Sequence, residues 1–85
     1  MYKLQQTRRF QKDFNKLDKK RQHRILEKLA VLASGEWTSL DIKKLKGSEL
    51  AYRLRSGTYR ILFEKRQSKL VIILVAVKHR KDIYR

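Results

Sequence analysis

Three arginines, Arg53, Arg55 and Arg60, stand on either side of a Ser56-Gly57-Thr58 turn. Leu50, Tyr52 and Leu54 alternate with Ala51, Arg53 and Arg55 before it, and Tyr59, Ile61 and Phe63 alternate with Arg60, Leu62 and Glu64 after it. A period of two marks strands, and strands joined by so short a turn form a hairpin. With Ser56-Gly57 as the loop, Arg53 lies opposite Arg60; with Gly57-Thr58, Arg55 does. Either two-residue loop collects the three arginines on one face and the apolar residues on the other. A three-residue loop would bury Arg60 among apolar residues, which its charge forbids. Like charges opposed across strands cost about 0.2–1 kcal/mol per pair. Two readings are open: a solvated basic face, or an anion site on rigid strands where guanidinium forks grip a phosphate.

The end of the chain supplies a second group. Lys78, His79, Arg80 and Lys81 follow an apolar run, and Tyr84 stands four residues past Arg80. A strand ending near Val77 would deliver them to one edge of the sheet. Histidine, arginine and tyrosine suit phosphodiester chemistry as proton acceptor, phosphate clamp and stacking or proton-relaying phenol. His23, among Lys20, Arg21 and Arg24, reads as surface, and Trp37 as a loop anchor. There is no Gly-rich phosphate loop, carboxylate pair or Ser/His/Asp set, and the absence of cysteine removes thiolate metal sites and cysteine nucleophiles. Neither a metal nor a cofactor is expected.

These side chains need a frame. Residues 1–6 read as a first strand through the alternation of Tyr2 and Leu4. Thr7 can cap a helix in which Phe10, Phe14 and Leu17 form one apolar stripe. Asp18 can cap a second helix over about residues 19–34, with Ile25, Leu26, Leu29, Leu32 and Ala33 as its buried face and Gly35 as its stop. Residues 35–48 read as irregular, anchored by Trp37, Leu40, Ile42 and Leu45. A second turn falls at Arg66-Gln67-Ser68, and the β-branched run over 70–77 reads as a central strand covered on both faces. The expected fold class is α+β: an N-terminal strand and a helical hairpin packed on an antiparallel three- to four-stranded sheet, one domain over 1–85.

Lysine and arginine number 23 against eight acids, a net charge of +15. Self-repulsion of that size disfavours the compact state, so a polyanion or an acidic partner is expected to offset it. The run over 70–77 is far short of the roughly 20 apolar residues a membrane helix needs, and Met1-Tyr2-Lys3-Leu4 has no apolar signal-peptide core. A cytoplasmic domain without membrane partners is expected.

The segments Leu45-Lys46-Gly47, Tyr52-Arg53-Leu54-Arg55-Ser56-Gly57-Thr58-Tyr59-Arg60-Ile61 and His79-Arg80-Lys81-Asp82-Ile83-Tyr84-Arg85 resemble the RelE/ParE toxin superfamily, over essentially the whole chain. The His-Arg-x-x-x-Tyr ending leans towards the RelE branch, whose toxins cut messenger RNA in the ribosomal A site with the 2′-hydroxyl as nucleophile. The resemblance implies roles by position. Arg60 matches the arginine that holds the scissile phosphate, and Arg53 a cation that offsets transition-state charge. Arg80 matches the tail arginine credited with phosphate contact or leaving-group protonation. Tyr84 matches the C-terminal tyrosine that stacks on substrate or assists the 2′-hydroxyl, and His79 a position held by histidine or lysine. Ala51 departs from the pattern, standing where a well-known member has a second lysine, so the general base is His79 or Tyr84.

The resulting expectation is a metal-independent endoribonuclease toxin of a type II toxin–antitoxin pair, acting on messenger RNA on the ribosome with ribosomal RNA contacts. Lys44, Lys46, Arg55, Lys78 and Lys81 would bind RNA around the reacting phosphate. A small acidic antitoxin would be its partner. The rivals are a ParE-like toxin that poisons DNA gyrase without nuclease activity, and a non-catalytic RNA-binding domain.

Overall fold

The computed structural model describes residues 1–81. Local chemistry sets the helix ends. Thr7 is extended, and its Oγ1 accepts the Phe10 N–H at 3.1 Å to start α1 (Arg8–Asn15). Asp18 repeats the device, its Oδ1 accepting the Arg21 N–H at 2.8 Å to start α2 (Lys19–Ser34). Gly35 closes α2 at φ 88°, in the left-handed region where other residues are strained.

The strands are β1 (Lys3–Gln6), β2 (Ile42–Lys44), β3 (Ala51–Ser56), β4 (Tyr59–Arg66) and β5 (Val71–His79). They form one sheet in the order β1-β5-β4-β3-β2, with β1 parallel to β5 and the other pairs antiparallel. Both helices cover one face. Phe10, Ile25, Leu29 and Leu32 meet Leu54, Ile61, Phe63, Ile72, Leu74 and Val77 in a single core. Trp37 closes one end, as expected of an anchor. Its Nε1 donates to Leu32 O at 3.0 Å, and Tyr52 and Phe63 stand edge-on to its ring at 5.8 and 5.7 Å.

Four departures from the sequence reading have physical causes. The expected irregular stretch contains β2, so the described sheet has five strands. Leu26 is 52% exposed, because α2 buries the Ile25–Leu29–Leu32 stripe and Leu26 lies about 100° from Ile25 around the axis. Leu50 precedes β3 and is 40% exposed. The last strand starts at Val71, after Leu70 at φ 53°, and extends to His79. It buries Ile72, Leu74 and Val77 on the helix side, whereas on the other face Val71, Ile73 and Val75 are half-buried and Ala76 alone is buried, since both helices lie on one side.

That strand also carries a bulge. Leu62 pairs with Ala76 but Phe63 pairs with Leu74, leaving Val75 as the extra residue. The β1 pairing ends at Leu74, and α1 takes over the open edge. The Thr7 Oγ1 donates to Val75 O at 2.7 Å, and Asp13 Oδ2 accepts the Val77 N–H at 3.0 Å.

Candidate functional site

Ser56 pairs with Tyr59, so Gly57-Thr58 is the hairpin loop and Arg55 lies opposite Arg60. Gly57, at φ 60°, occupies the first central position, where a type II′ turn wants glycine. On its other side Arg60 faces Lys78. A row Arg55–Arg60–Lys78 therefore crosses three adjacent strands, with neighbouring strands about 4.8 Å apart. The next row runs Lys43–Arg53–Leu62–Ala76. Side chains alternate along strands, so both rows project from the face away from the helices.

Arg60 is only 7% exposed on that face. Its Nε and Nη1 are buried with no hydrogen-bond partner among the described residues, and so is the Nε of Arg53. The acid on the same face of β4, Glu64, is bonded to Arg66 at 3.1 Å. A guanidinium cannot shed its proton to escape burial, and unpaired buried donors on a cation are costly. The group that satisfies such donors is an oxyanion with several acceptor oxygens. Among the described residues no cluster of His, Cys, Asp and Glu could hold a metal ion.

The expected RNA-contacting residues divide between the faces. Arg55 and Lys78 flank Arg60 directly. Lys44 pairs with Tyr52 and so belongs to the helix side, while Lys46 is exposed in the turn that follows β2. Lys43, opposite Arg53, belongs to the arginine face, and sequence reasoning missed it. The available signal was Ile42. An inward-facing anchor in a strand puts the next residue on the opposite face, but three residues are too few for a strand's period to show.

The tail residues divide as well. His79 pairs with Tyr59, across the sheet from Arg60, with the two rings edge-on at 5.1 Å. Its Nδ1 accepts the Lys81 N–H at 3.2 Å. Arg80 donates its backbone N–H to Thr58 O at 2.7 Å, hooking the tail to the hairpin turn, and its side chain is exposed like that of Lys81. Tyr84 lies outside the described residues. His23 is at the surface, 3.1 Å from Glu27.

Residues 4–84 match the family model described as ParE toxin of type II toxin-antitoxin system, parDE. Among curated proteins, Toxin RelE3 of Methanocaldococcus jannaschii is 51% identical over 45 residues, covering 53% of this chain and 49% of that protein. The match thus spans about half the length of the curated relative. The RelB-RelE antitoxin-toxin complex from Methanococcus jannaschii has 35% sequence identity and a TM-score of 0.78, over 94% of each chain. The isolated E. coli RelE toxin has 25% identity and a TM-score of 0.76, over 99% of this chain and 92% of that one.

Proposed function

This chain belongs to the RelE/ParE toxin family of type II toxin–antitoxin systems, and from that premise we propose that it is an endoribonuclease that cuts messenger RNA on the ribosome and so stops translation. The observation that carries the reading is Arg60, buried between Arg55 and Lys78 with two donors unpartnered among the described residues. In the proposed step the 2′-hydroxyl attacks the adjacent phosphorus in line and the bond to the 5′-oxygen breaks. The products are a 2′,3′-cyclic phosphate and a 5′-hydroxyl. The phosphoryl oxygens gain charge at the transition state, which Arg60 grips and Arg53 offsets. Lys43, Lys46, Arg55, Lys78 and Lys81 bind flanking phosphates; Lys44, on the helix side, is left out of the footprint.

Two protons move. His79 stands across the sheet with Nδ1 engaged, so we assign removal of the 2′-hydroxyl proton to the phenolate form of Tyr84, which leaves the step as the neutral phenol. Arg80 stabilises the leaving 5′-oxygen by its positive charge, and water supplies the proton. An acidic antitoxin restrains the toxin, as RelB accompanies RelE in the archaeal complex. Among the described residues no helix is long and apolar enough to cross a membrane, and a ribosomal substrate places the action in the cytoplasm.

The family description names ParE, which keeps gyrase poisoning as a second reading. Cell-free translation with primer extension on the message, beside a gyrase supercoiling assay, separates the two. The wild type is expected to give discrete cleavage stops and leave supercoiling intact. Arg60→Ala is expected to lose about 10²–10³ in cleavage rate, as for loss of one preorganised donor. Arg8→Ala, on α1, should cut normally. Equal activity of the two variants sinks the nuclease reading.

A further inference from the structure

We propose that Asp13 and Thr7 of α1 are positioning residues for the arginine face, holding the β5 bulge and with it Lys78 beside Arg60. This rests on the nuclease reading for its effect on activity. The starting point is what the bulge does to register. Phe63 pairs with Leu74 on the near side of Val75, and Leu62 pairs with Ala76 on the far side. Without the extra residue the ladder would continue as Leu62 with Val75, Ile61 with Ala76, Arg60 with Val77 and Tyr59 with Lys78. Side-chain period is two, so such a slip exchanges the faces of every later residue. Val77 would leave the core for the arginine face, and Lys78 would join Tyr59 on the helix side. The bulge therefore decides which residue stands next to Arg60.

The bonds from α1 and its N-cap fall on the bulge and two residues past it. The Thr7 hydroxyl reaches the carbonyl of Val75, the extra residue itself, at 2.7 Å, and the Asp13 carboxylate reaches the amide of Val77 at 3.0 Å. The pair replaces the ladder partner that β1 supplies only as far as Leu74. Thr7 also caps α1, so removing it would confound two effects. Asp13 is the cleaner probe. It is half-buried, the only other described partner of its carboxylate is the exposed Arg9 at 3.9 Å, and an aspartate within a helix is otherwise a poor choice. Without it the amide of Val77, a residue 7% exposed, loses its acceptor. A buried amide left without one favours another register.

The test uses the full chain with Asp13→Ala, Asp13→Asn, Lys78→Ala and the double variant Asp13→Ala/Lys78→Ala. Amide exchange at Val77 and Lys78 is read by NMR, and kcat and KM for cleavage are read on ribosomes programmed with message. Asp13→Ala is expected to expose both amides and to lower kcat about 10- to 100-fold, the scale of a misplacement remote from the chemistry. Asp13→Asn keeps an acceptor oxygen and should retain protection, with kcat within about threefold of wild type. Since Asp13 acts through Lys78, the double variant should cut no more slowly than the slower single variant, whereas independent sites add. Additive losses overturn the proposal, and so does unchanged Val77 protection in Asp13→Ala. Should Asp13→Ala fail to fold, the scalar coupling across the hydrogen bond from Val77 N to the Asp13 carboxyl carbon in the wild type decides, and its absence is fatal. If the wild type does not cut message, the nuclease reading falls while exchange still judges the clamp.

Discussion

Arg60 sets stability against use within a single side chain. It is buried, it is flanked by two cations in register, and two of its donors have no partner among the described residues. Each opposed like-charge pair costs on the order of 0.2–1 kcal/mol, and the desolvated guanidinium adds to that. Methionine at this position would keep much of the side-chain volume and remove both penalties. Arg60→Met should therefore raise Tm, by about 4–8 °C if roughly 1 kcal/mol is recovered, while cleavage is lost; differential scanning calorimetry beside primer extension checks both. A fall in Tm would mean that the arginine stem packs better than its charge repels. The proton-transfer assignment belongs to the same scale. His79 is tied to Lys81 and leans on Tyr59, so His79→Gln should leave the kcat pH profile unchanged. Tyr84→Phe should flatten its alkaline limb if the phenolate accepts the proton. The reverse result would move the base to His79.

At the scale of elements, legibility in the sequence follows from how local the determinants are. Both helices were legible because each carries its own cap, Thr7 or Asp18, and its own apolar stripe. The hairpin was legible because Gly57 and the alternating arginines fix register within a few residues, although only the structure chooses Arg55 over Arg53 as the partner of Arg60. Strand β2 was not. It is three residues long, too short for a period to show, and it exists because β3 offers it an edge. Lys43 was missed with it. The β5 bulge was beyond local reading for the same reason, since one of its fastenings comes from Asp13, 64 residues away. Element-level determinants also predict a pH effect. The Arg21 backbone N–H, with help from that residue's charge, holds the Asp18 carboxyl below the ordinary 3.8. A lowered folded value gives stability that is present above the unfolded value and lost as pH falls through the folded one. Asp18→Asn preserves a good N-cap without a titrating group. Its Tm should therefore lose less than that of the wild type between neutral pH and pH about 3, close below the unfolded value. Identical acid melting curves would show that Asp18 does not contribute to the loss.

For the molecule as a whole, the charge of +15 and the arginine face make the same demand. Five cations, Arg55, Arg60 and Lys78 in one row with Lys43 and Arg53 in the next, on the sheet face away from the basic helices, form an electrostatic surface that repels itself and attracts phosphate. Binding of RNA should thus be driven largely by counterion release. With 6–10 phosphates engaged, affinity should fall roughly 10³–10⁵-fold between 50 and 200 mM salt. The acidic antitoxin meets the same field and should raise Tm by mass action in proportion to the logarithm of its concentration. Lys43 distinguishes a general attraction from a defined footprint. It stands opposite Arg53 at the sheet edge, where it can touch a flanking phosphate without touching the reacting one. Lys43→Ala should reduce the slope of log K against log salt by about 0.7–0.9, the value of one phosphate contact, and leave single-turnover cleavage of bound message unchanged. Fluorescence anisotropy on a short single-stranded RNA across a salt series measures the slope. A slope identical to wild type would remove Lys43 from the footprint, and a flat response in the wild type would remove RNA as the substrate altogether.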